Sequence, residues 1–418
     1  MTSRRSFIKK SGTASLAVGL GINGVLGNPK NNSTYTAADD LTKGLPELVD
    51  GDYISRQNTA RKWLNKLNID ALFVEGGVNM NYFMDTSWWM SERIFGFVLS
   101  ADNDPIWICP AFELKRAKEL IKYGHDIRVW EEHESPFKLL EGIMKDIGKP
   151  GGKLGIGPNV RNFVTEGIRK DTNINLVNGA PVSENTRAIK TEKELQYMDV
   201  ANKITKLAYR DAFAQIKEGM SRGELGKLIR DAHSKYGASG GGSALFGAAS
   251  AFPHGTKEQH PLSEGDIILV DGGCSVKGYR SDVSRTIVFG KASKKQREVF
   301  EVVKEAHAAA FSLIKKGLAC READMAARKV VELAGYGPGY KTFAHRLGHG
   351  IGMEGHEFPY LVGSNELKMS PGMTFTNEPG IYLYGEFGVR IEDSFAVTEN
   401  GYHVFGEMTC TSIETPFG

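Results

Sequence analysis

Cysteine is scarce in this chain: four in 418 residues, at positions 109, 274, 320 and 410. They are too scattered to make a metal knuckle or a disulfide scaffold. Long apolar runs are missing as well. The mildly apolar stretch at 14–26 is too short and too rich in glycine for a membrane span, so no stable span is expected. Neither sign of charge dominates, with 52 basic residues against 50 acidic and a net charge of +2, which leaves no footprint for a nucleic-acid partner. The glycine triplet at 240–242 lacks the spacing of a phosphate-binding loop. The 49 glycines follow no collagen period and instead mark many tight turns. What remains is the ordinary composition of a globular protein, long enough for two domains with sizeable cores.

The N-terminus departs from that composition. Arg4-Arg5, then Phe7, then Lys9-Lys10, precede the weak apolar run. The pattern resembles a twin-arginine export signal, which implies a periplasmic protein exported in the folded state. Residues 1–27 hold four basic and no acidic residues, so their removal would take the net charge from +2 to −2. Residues 28–50 are polar and read as a linker. From 51 to 185 strand-like runs (70–75, 94–99, 105–109, 126–130, 153–156) alternate with helical periodicity near 112–122, 135–147 and 162–170. This is an α/β layout, with a hairpin signal at Asp102-Asn103-Asp104 and no catalytic motif. Trp88 and Trp89 form an aromatic-rich turn that suits either core or a contact surface. A long helix begins after Thr191, a natural N-cap followed by Glu192 and Glu194.

The remainder, 186–418, contains a repeat. Ala212-Phe213-x-x-Ile216-Lys217-x-Gly219 recurs as Ala310-Phe311-x-x-Ile314-Lys315-x-Gly317. Leu262-Ser263-x-Gly265 leads into a strand ending in Asp271, and Met369-Ser370-x-Gly372 into one ending in Glu378. Asp282 then follows Arg280, and Glu392 follows Arg390. Each half supplies two carboxylates from successive strands, and a duplicated helix–helix–strand–strand unit brings all four to one centre. Asp271 and Asp282 sit symmetrically about Val276-Lys277, which predicts directly opposed hairpin positions. Glu378 and Glu392 do the same about Gly385. Four carboxylates this close repel strongly unless divalent cations neutralise them. A two-metal site would activate a bridging water.

Three histidines, His345, His349 and His356, fall between the carboxylate pairs in a glycine-rich stretch unlike a packed helix. Their spacing is not the H-E-x-x-H of zincins. His254, in Phe252-Pro253-His254-Gly255, precedes the first carboxylate strand and could line the same cavity.

At these residues the chain resembles the pita-bread metallopeptidases, the group of aminopeptidase P, prolidase and creatinase. The resemblance rests on Asp271, on Asp282 within Tyr-Arg-Ser-Asp-Val-Ser-Arg-Thr, and on His349 within His-Arg-Leu-Gly-His-Gly-Ile-Gly. Glu378 within Asn-Glu-Pro-Gly-Ile-Tyr and Glu392 within Val-Arg-Ile-Glu-Asp complete it. All five metal-ligand positions are filled in order. The implied fold is α+β: a pita-bread catalytic domain of duplicated ααββ units at 186–418, preceded by a smaller creatinase-like α/β domain at 51–185. The implied cofactor is two divalent metal ions held by Asp271, Asp282, His349, Glu378 and Glu392, with Asp282 and Glu392 bridging. The donor set suits manganese, with iron, cobalt or zinc as alternatives. By the same resemblance Glu378 is the general base, His254 and His356 face the scissile carbonyl, His345 meets the far end of the substrate, and Arg390 orients carboxylates. A metal-bridged hydroxide would then hydrolyse Xaa-Pro bonds in dipeptides or at the N-termini of longer peptides. The resemblance also places the 240–242 glycines just before a strand (244–254) that enters the pocket. A homodimer or tetramer is expected, with Trp88 and Trp89 as candidates for a wall closing the cavity. Arg346 stands where a glycine is common, and with Phe358-Pro359-Tyr360 it bears on which end of the substrate is read. Two other readings keep the fold: a hydrolase or lyase acting on a small non-peptide, and a binding module without catalysis. Creatinase-like members and binding modules lose metal ligands and none is lost here, whereas a metal-using lyase stays open, with Arg346 leaving room for it.

Overall fold

The computed structural model describes residues 40–258, 260–407 and 410–417. The expected export segment, 1–27, and the linker as far as residue 39 lie outside the described residues. The rest of that linker is packed rather than free. Asp40 caps a turn at Thr42, and Leu41, Leu45 and Leu48 lie against the core of the C-terminal half. Three leucines at this spacing supply an apolar edge that the surrounding polar residues mask in the sequence.

The first half is a six-stranded mixed sheet with helices around it. In chain order its elements are α1 (Asp50–Leu67), β1 (Ala71–Glu75), α2 (Val78–Met84), β2 (Gly96–Ser100), β3 (Ile106–Pro110), α3 (Leu114–Leu120) and β4 (Asp126–Trp130). They continue as α4 (Pro136–Asp146), β5 (Lys153–Ile156), α5 (Asn162–Asp171), β6 (Asn175–Asn178) and α6 (Ala180–Ala188). The strand order is β4-β3-β2-β1-β5-β6. The antiparallel β2–β3 pair encloses the Asp102–Asp104 turn. Every residue of β1, β2 and β3 is buried, as central strands covered on both faces must be.

The second half carries the duplication. Its first unit runs α7 (Glu192–Phe213), α8 (Arg222–Lys235), β7 (Ser239–Phe246), β8 (Ile267–Val276), β9 (Tyr279–Arg280) and β10 (Val283–Val288). Its second runs α9 (Lys294–Phe311), α10 (Cys320–Leu333), β11 (Gly348–Gly350), β12 (Glu357–Leu361), β13 (Thr374–Asn377), β14 (Gly380–Leu383), β15 (Phe387–Arg390), β16 (Asp393–Thr398) and β17 (Gly401–Val404). The repeated glycines mark the same turns in both units. Gly219 and Gly317 both take positive φ, 79° and 83°, a conformation open to glycine at no steric cost. Each donates its N–H to a carbonyl just before the carboxylate strand, Leu262 at 2.8 Å and Met369 at 2.9 Å. Gly265 and Gly372, both at φ 85°, then turn the chain into that strand. Among the described residues no helix is long and apolar enough to cross a membrane.

Two expectations about strands are corrected. The hairpin after Asp271 turns on Lys277-Gly278, both with positive φ, so Val276 pairs with Tyr279 and Asp271 with Ser284. Asp282 therefore lies two residues off the directly opposed position. An even offset keeps it on the same face of the sheet. The 240–242 glycines lie inside β7, paired with Cys274, Gly273 and Gly272, and the strand stops at Phe246. At Gly240 the missing side chain lets α8 and β8 close up: a Cβ there would sit 2.5 Å from the His233 ring of α8 and 2.6 Å from the Cys274 Cβ of β8.

Buried ion pairs join the halves. Arg56 of α1 donates to Glu194 at 2.7 Å, and Tyr279 donates to the same carboxylate at 2.6 Å. Glu194 also closes a capping box with Thr191 at the start of α7. Arg187 and Lys190 both hold Glu357, the residue after His356.

Candidate metal centre

Three of the four carboxylates sit where strands break, and Asp271 lies within β8. Ile267, Ile268, Leu269 and Val270 are fully buried, each stabilising the strand by about 1.5–3 kcal/mol, and they drive β8 straight to Asp271. Asp282 precedes β10. Glu378 separates β13 from β14 ahead of Pro379, which has no N–H for a ladder. Glu392 separates β15 from β16. The backbone N–H groups of the two glutamates bond elsewhere: Glu378 to Leu347 O at 2.9 Å and Glu392 to Ser284 O at 3.1 Å. The second bond crosses between the two repeat units. Glu378 and Glu392 fall on the register that pairs Gly380 with Arg390 and Asn377 with Asp393, as expected for a hairpin about Gly385.

One cavity of about 180 Å³ is lined by Asp271, Asp282, His349, Glu378 and Glu392, by His254, His345, His356 and Arg390, and by Pro253 and Arg346. All nine residues singled out in the sequence are therefore brought together. Their ligand atoms form three overlapping groups, each within 4.8 Å: Asp282, His349 and His356; His349, Glu378 and Glu392; Asp271, Asp282 and Glu392. Asp282, His349 and Glu392 are each shared by two groups.

The electrostatics fit divalent cations. Burial first, then the neighbouring carboxylates, hold Asp282 and Glu392 well above the usual carboxylate range. Burial pushes Glu378 up to about 7. Burial lowers His349 to about 4, with His356 beside it adding to the effect, so its ring is neutral at pH 7. His349 Nδ1 is 3.1 Å from the Gly350 carbonyl. A carbonyl only accepts, so the proton sits on Nδ1 and Nε2 presents a bare lone pair. That lone pair faces Glu378 Oε1 at 3.3 Å and Asp282 Oδ2 at 3.7 Å. Lone pairs and carboxylate oxygens converging on one point form a ligand set for a hard or borderline cation.

Arg390 is the buried cation of the site. It lies 2.8 Å from Asp271 and donates to Ser284 Oγ at 2.7 Å, to Tyr382 OH at 3.0 Å and to Pro253 O at 3.2 Å. Ser284 Oγ in turn lies 3.0 Å from Asp271 and 2.6 Å from Glu392. Thr376 Oγ1 donates to Glu378 at 3.1 Å and accepts from the His349 N–H at 3.1 Å. Ser284, Thr376 and Tyr382 escape the sequence reading. The available signal is spacing: Ser284 is two residues after Asp282 and Thr376 two before Glu378, so each shares a strand face with a ligand.

His345 lines the cavity from its wall. Its Nδ1 is 2.8 Å from Arg346 O and its Nε2 2.8 Å from Tyr382 OH, so both ring nitrogens are committed within the wall. The ring of His356 stacks on His349 with centroids 3.7 Å apart. Neither tryptophan reaches the cavity. Trp88 is buried on Phe95 at 3.8 Å, whereas Trp89 is 68% exposed.

Comparison with known proteins agrees with this geometry. Residues 196–399 match the model of metallopeptidase family M24, and residues 56–189 match the creatinase/prolidase N-terminal domain. An Xaa-Pro dipeptidase from Lactobacillus helveticus is 31% identical over 368 residues, covering 82% of this chain and 95% of that protein. The chain belongs to metallopeptidase family M24. It is a metal-dependent peptidase with a pita-bread catalytic half. Among solved structures, a prolidase from Thermococcus sibiricus is 30% identical with a TM-score of 0.76, covering 85% of this chain and 96% of that one. Dipeptidase PepE from Mycobacterium ulcerans is 27% identical with a TM-score of 0.79, covering 86% and 97%.

Proposed function

We propose that this M24 peptidase is an exopeptidase that hydrolyses Xaa-Pro bonds, using two divalent metal ions held by Asp271, Asp282, His349, Glu378 and Glu392. The observation that carries the proposal is the convergence of these five side chains, in three overlapping ligand groups, on one cavity that His254 and His356 also line. The Xaa-Pro specificity is supported by relatives whose names are Xaa-Pro dipeptidase and prolidase. Manganese is the proposed metal, on the strength of four carboxylates and one imidazole. Asp282 and Glu392 would be the carboxylates within reach of both ions, each belonging to two ligand groups, as does the imidazole of His349.

When bound, the ions supply Lewis acidity, activating water and polarising a carbonyl. The remaining work falls to the protein. Glu378 takes the proton of the attacking water and returns it to the leaving nitrogen. The hydrogen bond from Thr376 at 3.1 Å orients its carboxylate for that exchange. His254 has no hydrogen-bond partner among the described residues, and the exposed edge of His356 is likewise open to the cavity, so both can donate to the scissile carbonyl. Arg390 and Ser284 fix Asp271 and Glu392 against rotation. Export through a twin-arginine route and assembly as a homodimer or tetramer belong to the same proposal, the exposed Trp89 supporting the assembly.

The test is a substrate panel on Mn²⁺-loaded protein, with Ala-Pro, an Ala-Pro-Ala type peptide and Ala-Ala. Release of free alanine from at least one proline peptide and not from Ala-Ala is expected. If both proline peptides stayed intact with metal bound, the proposal would be wrong.

A further inference from the structure

Arg222 stands in the first turn of α8, directly after the N-cap Ser221, which closes a capping box with Glu224. A cation at a helix N-terminus works against the helix dipole, which favours acidic groups there. Among the described residues no carboxylate pairs with Arg222, and burial holds its guanidinium below the usual arginine range. Its partners are backbone carbonyls: Ala244, Thr256 at 3.3 Å and Glu258 at 3.2 Å. Ala244 lies on β7 opposite Val270, the residue before Asp271. Thr256 and Glu258 follow closely on His254.

The segment that carries His254 is held on both sides, by different repeat units. Before His254 the β14–β15 hairpin of the second unit holds it. The Gly388 N–H donates to Ser250 Oγ at 2.8 Å, and Arg390 donates to the Pro253 carbonyl at 3.2 Å. The Phe252 and Tyr384 rings meet edge to face at 5.3 Å. After His254 the chain turns at Gly255, whose φ is 89°. Beyond that turn the Glu258 N–H bonds only locally, to Thr256 Oγ1 at 3.2 Å. Among the described residues, Arg222 supplies the hydrogen bonds that tie 256–258 to the rest of the protein. A glycine at the turn leaves the backbone free to swing unless both ends are fixed. The His254 ring has no tether of its own, so its direction depends on these two anchors.

We propose that Arg222 is a positioning residue for the peptidase reaction: its hold on the Thr256 and Glu258 carbonyls keeps His254 turned into the metal cavity. This rests on the reading above in which His254 donates to the scissile carbonyl. A misplacement of about 1 Å at a reacting group costs about a hundredfold in rate. A guanidinium reaches several acceptors at once from a rigid fork, which a compact ammonium does not, so lysine replaces it only in part.

The experiment uses Mn²⁺-loaded protein, unaltered and as Arg222→Ala, Arg222→Lys, His254→Ala and the double variant of Arg222→Ala with His254→Ala. With Ala-Pro as substrate, Arg222→Ala is expected to lower kcat by about tenfold or more with bound metal unchanged, and Arg222→Lys to lower it less. On the His254→Ala background the same substitution should change kcat by less than about twofold, because the group it positions is gone. Limited trypsin digestion reads the hold without substrate. Cleavage after the exposed Lys257 should be about tenfold faster in Arg222→Ala than in the unaltered protein. Should Arg222→Ala not fold, Arg222→Lys carries both comparisons, with smaller effects of the same sign. Unchanged kcat, an equal loss of kcat on both backgrounds, or unchanged cleavage after Lys257 would overturn the assignment while leaving Xaa-Pro hydrolysis standing. If the unaltered protein cleaved neither Ala-Pro nor an Ala-Pro-Ala type peptide, the Xaa-Pro reading would fall, and this assignment with it, whatever the digestion showed.

Discussion

Glu378 offers a test of the electrostatics that needs no substrate. In the metal-free protein burial raises its pKa from 4.5 to about 7. A shift of that size corresponds to about 3 kcal/mol at 1.36 kcal/mol per pH unit. The folded state binds the proton more tightly than the unfolded state, so between pH 4.5 and 7 folding takes up protons. Stability from this group therefore falls as pH rises, and the whole cost is present above pH 7. His345 and His349 pull the other way. Burial lowers them to about 3 and about 4, so their cost is present at low pH and disappears as pH rises through the unfolded histidine range. The net slope of the metal-free protein is thus mixed, and the informative quantity is the difference from Glu378→Gln. That variant keeps the histidines and cannot titrate at 378. Between pH 5 and 8 the protein with native Glu378 should lose about 3 kcal/mol relative to the variant, or roughly 4 °C in Tm for a chain this long. Scanning calorimetry after chelation measures it. Saturating Mn²⁺ should remove the difference or reverse its sign, because the ionised carboxylate is then paired. If the two chelated proteins kept the same Tm difference across that pH range, Glu378 would not be a strained buried carboxylate and the reasoning would fail.

Two further outcomes follow from packing and charge. Asp393 is buried against Lys206 and Arg285 at 2.7 and 2.8 Å, and Arg285 also holds the Glu392 carbonyl at 2.6 Å. Asp393→Asn removes the carboxylate shared by two buried cations and should cost about 3–5 kcal/mol by urea denaturation; a cost below about 1 kcal/mol would refute that reading. A Cβ on Gly348 would sit 1.9 Å from the Thr376 carbonyl. Gly348→Ala should therefore displace His349, costing about 1–3 kcal/mol of stability and weakening metal binding in an equilibrium titration, whereas unchanged metal affinity would show that β11 can shift without moving its ligand.

Much of the site is legible in the sequence because it sits on a duplication. Gly219 and Gly317, and Gly265 and Gly372, force the same turns twice, so the strands bearing Asp271 and Glu378 follow at matching offsets. The register between Asp271 and Asp282 was harder to read. A Lys277-Gly278 turn with two positive φ angles is a weak signal compared with Asn-Gly, and a two-residue shift leaves every side chain on its original face. Glycines usually punctuate strands, so the placement of 240–242 within β7 is also hidden; it depends on how closely α8 and β8 approach. Which partners a histidine's nitrogens take depends on tertiary contacts, as the Tyr382 hydroxyl beside His345 Nε2 illustrates. Leu41, Leu45 and Leu48 read as linker because the cluster they pack against is built from distant residues, among them Tyr197, Tyr236 and Tyr279.

The central claim is that five named side chains hold two metal ions in one cavity, and metal content measures it most directly. After loading with Mn²⁺ at pH 7.5 and exhaustive dialysis, elemental mass spectrometry should find two ions per chain. Glu392→Gln, which removes a carboxylate shared by two ligand groups, should retain fewer than two and lose its peptidase activity. No retained metal in the unaltered protein, or two ions still bound to Glu392→Gln, would contradict the account.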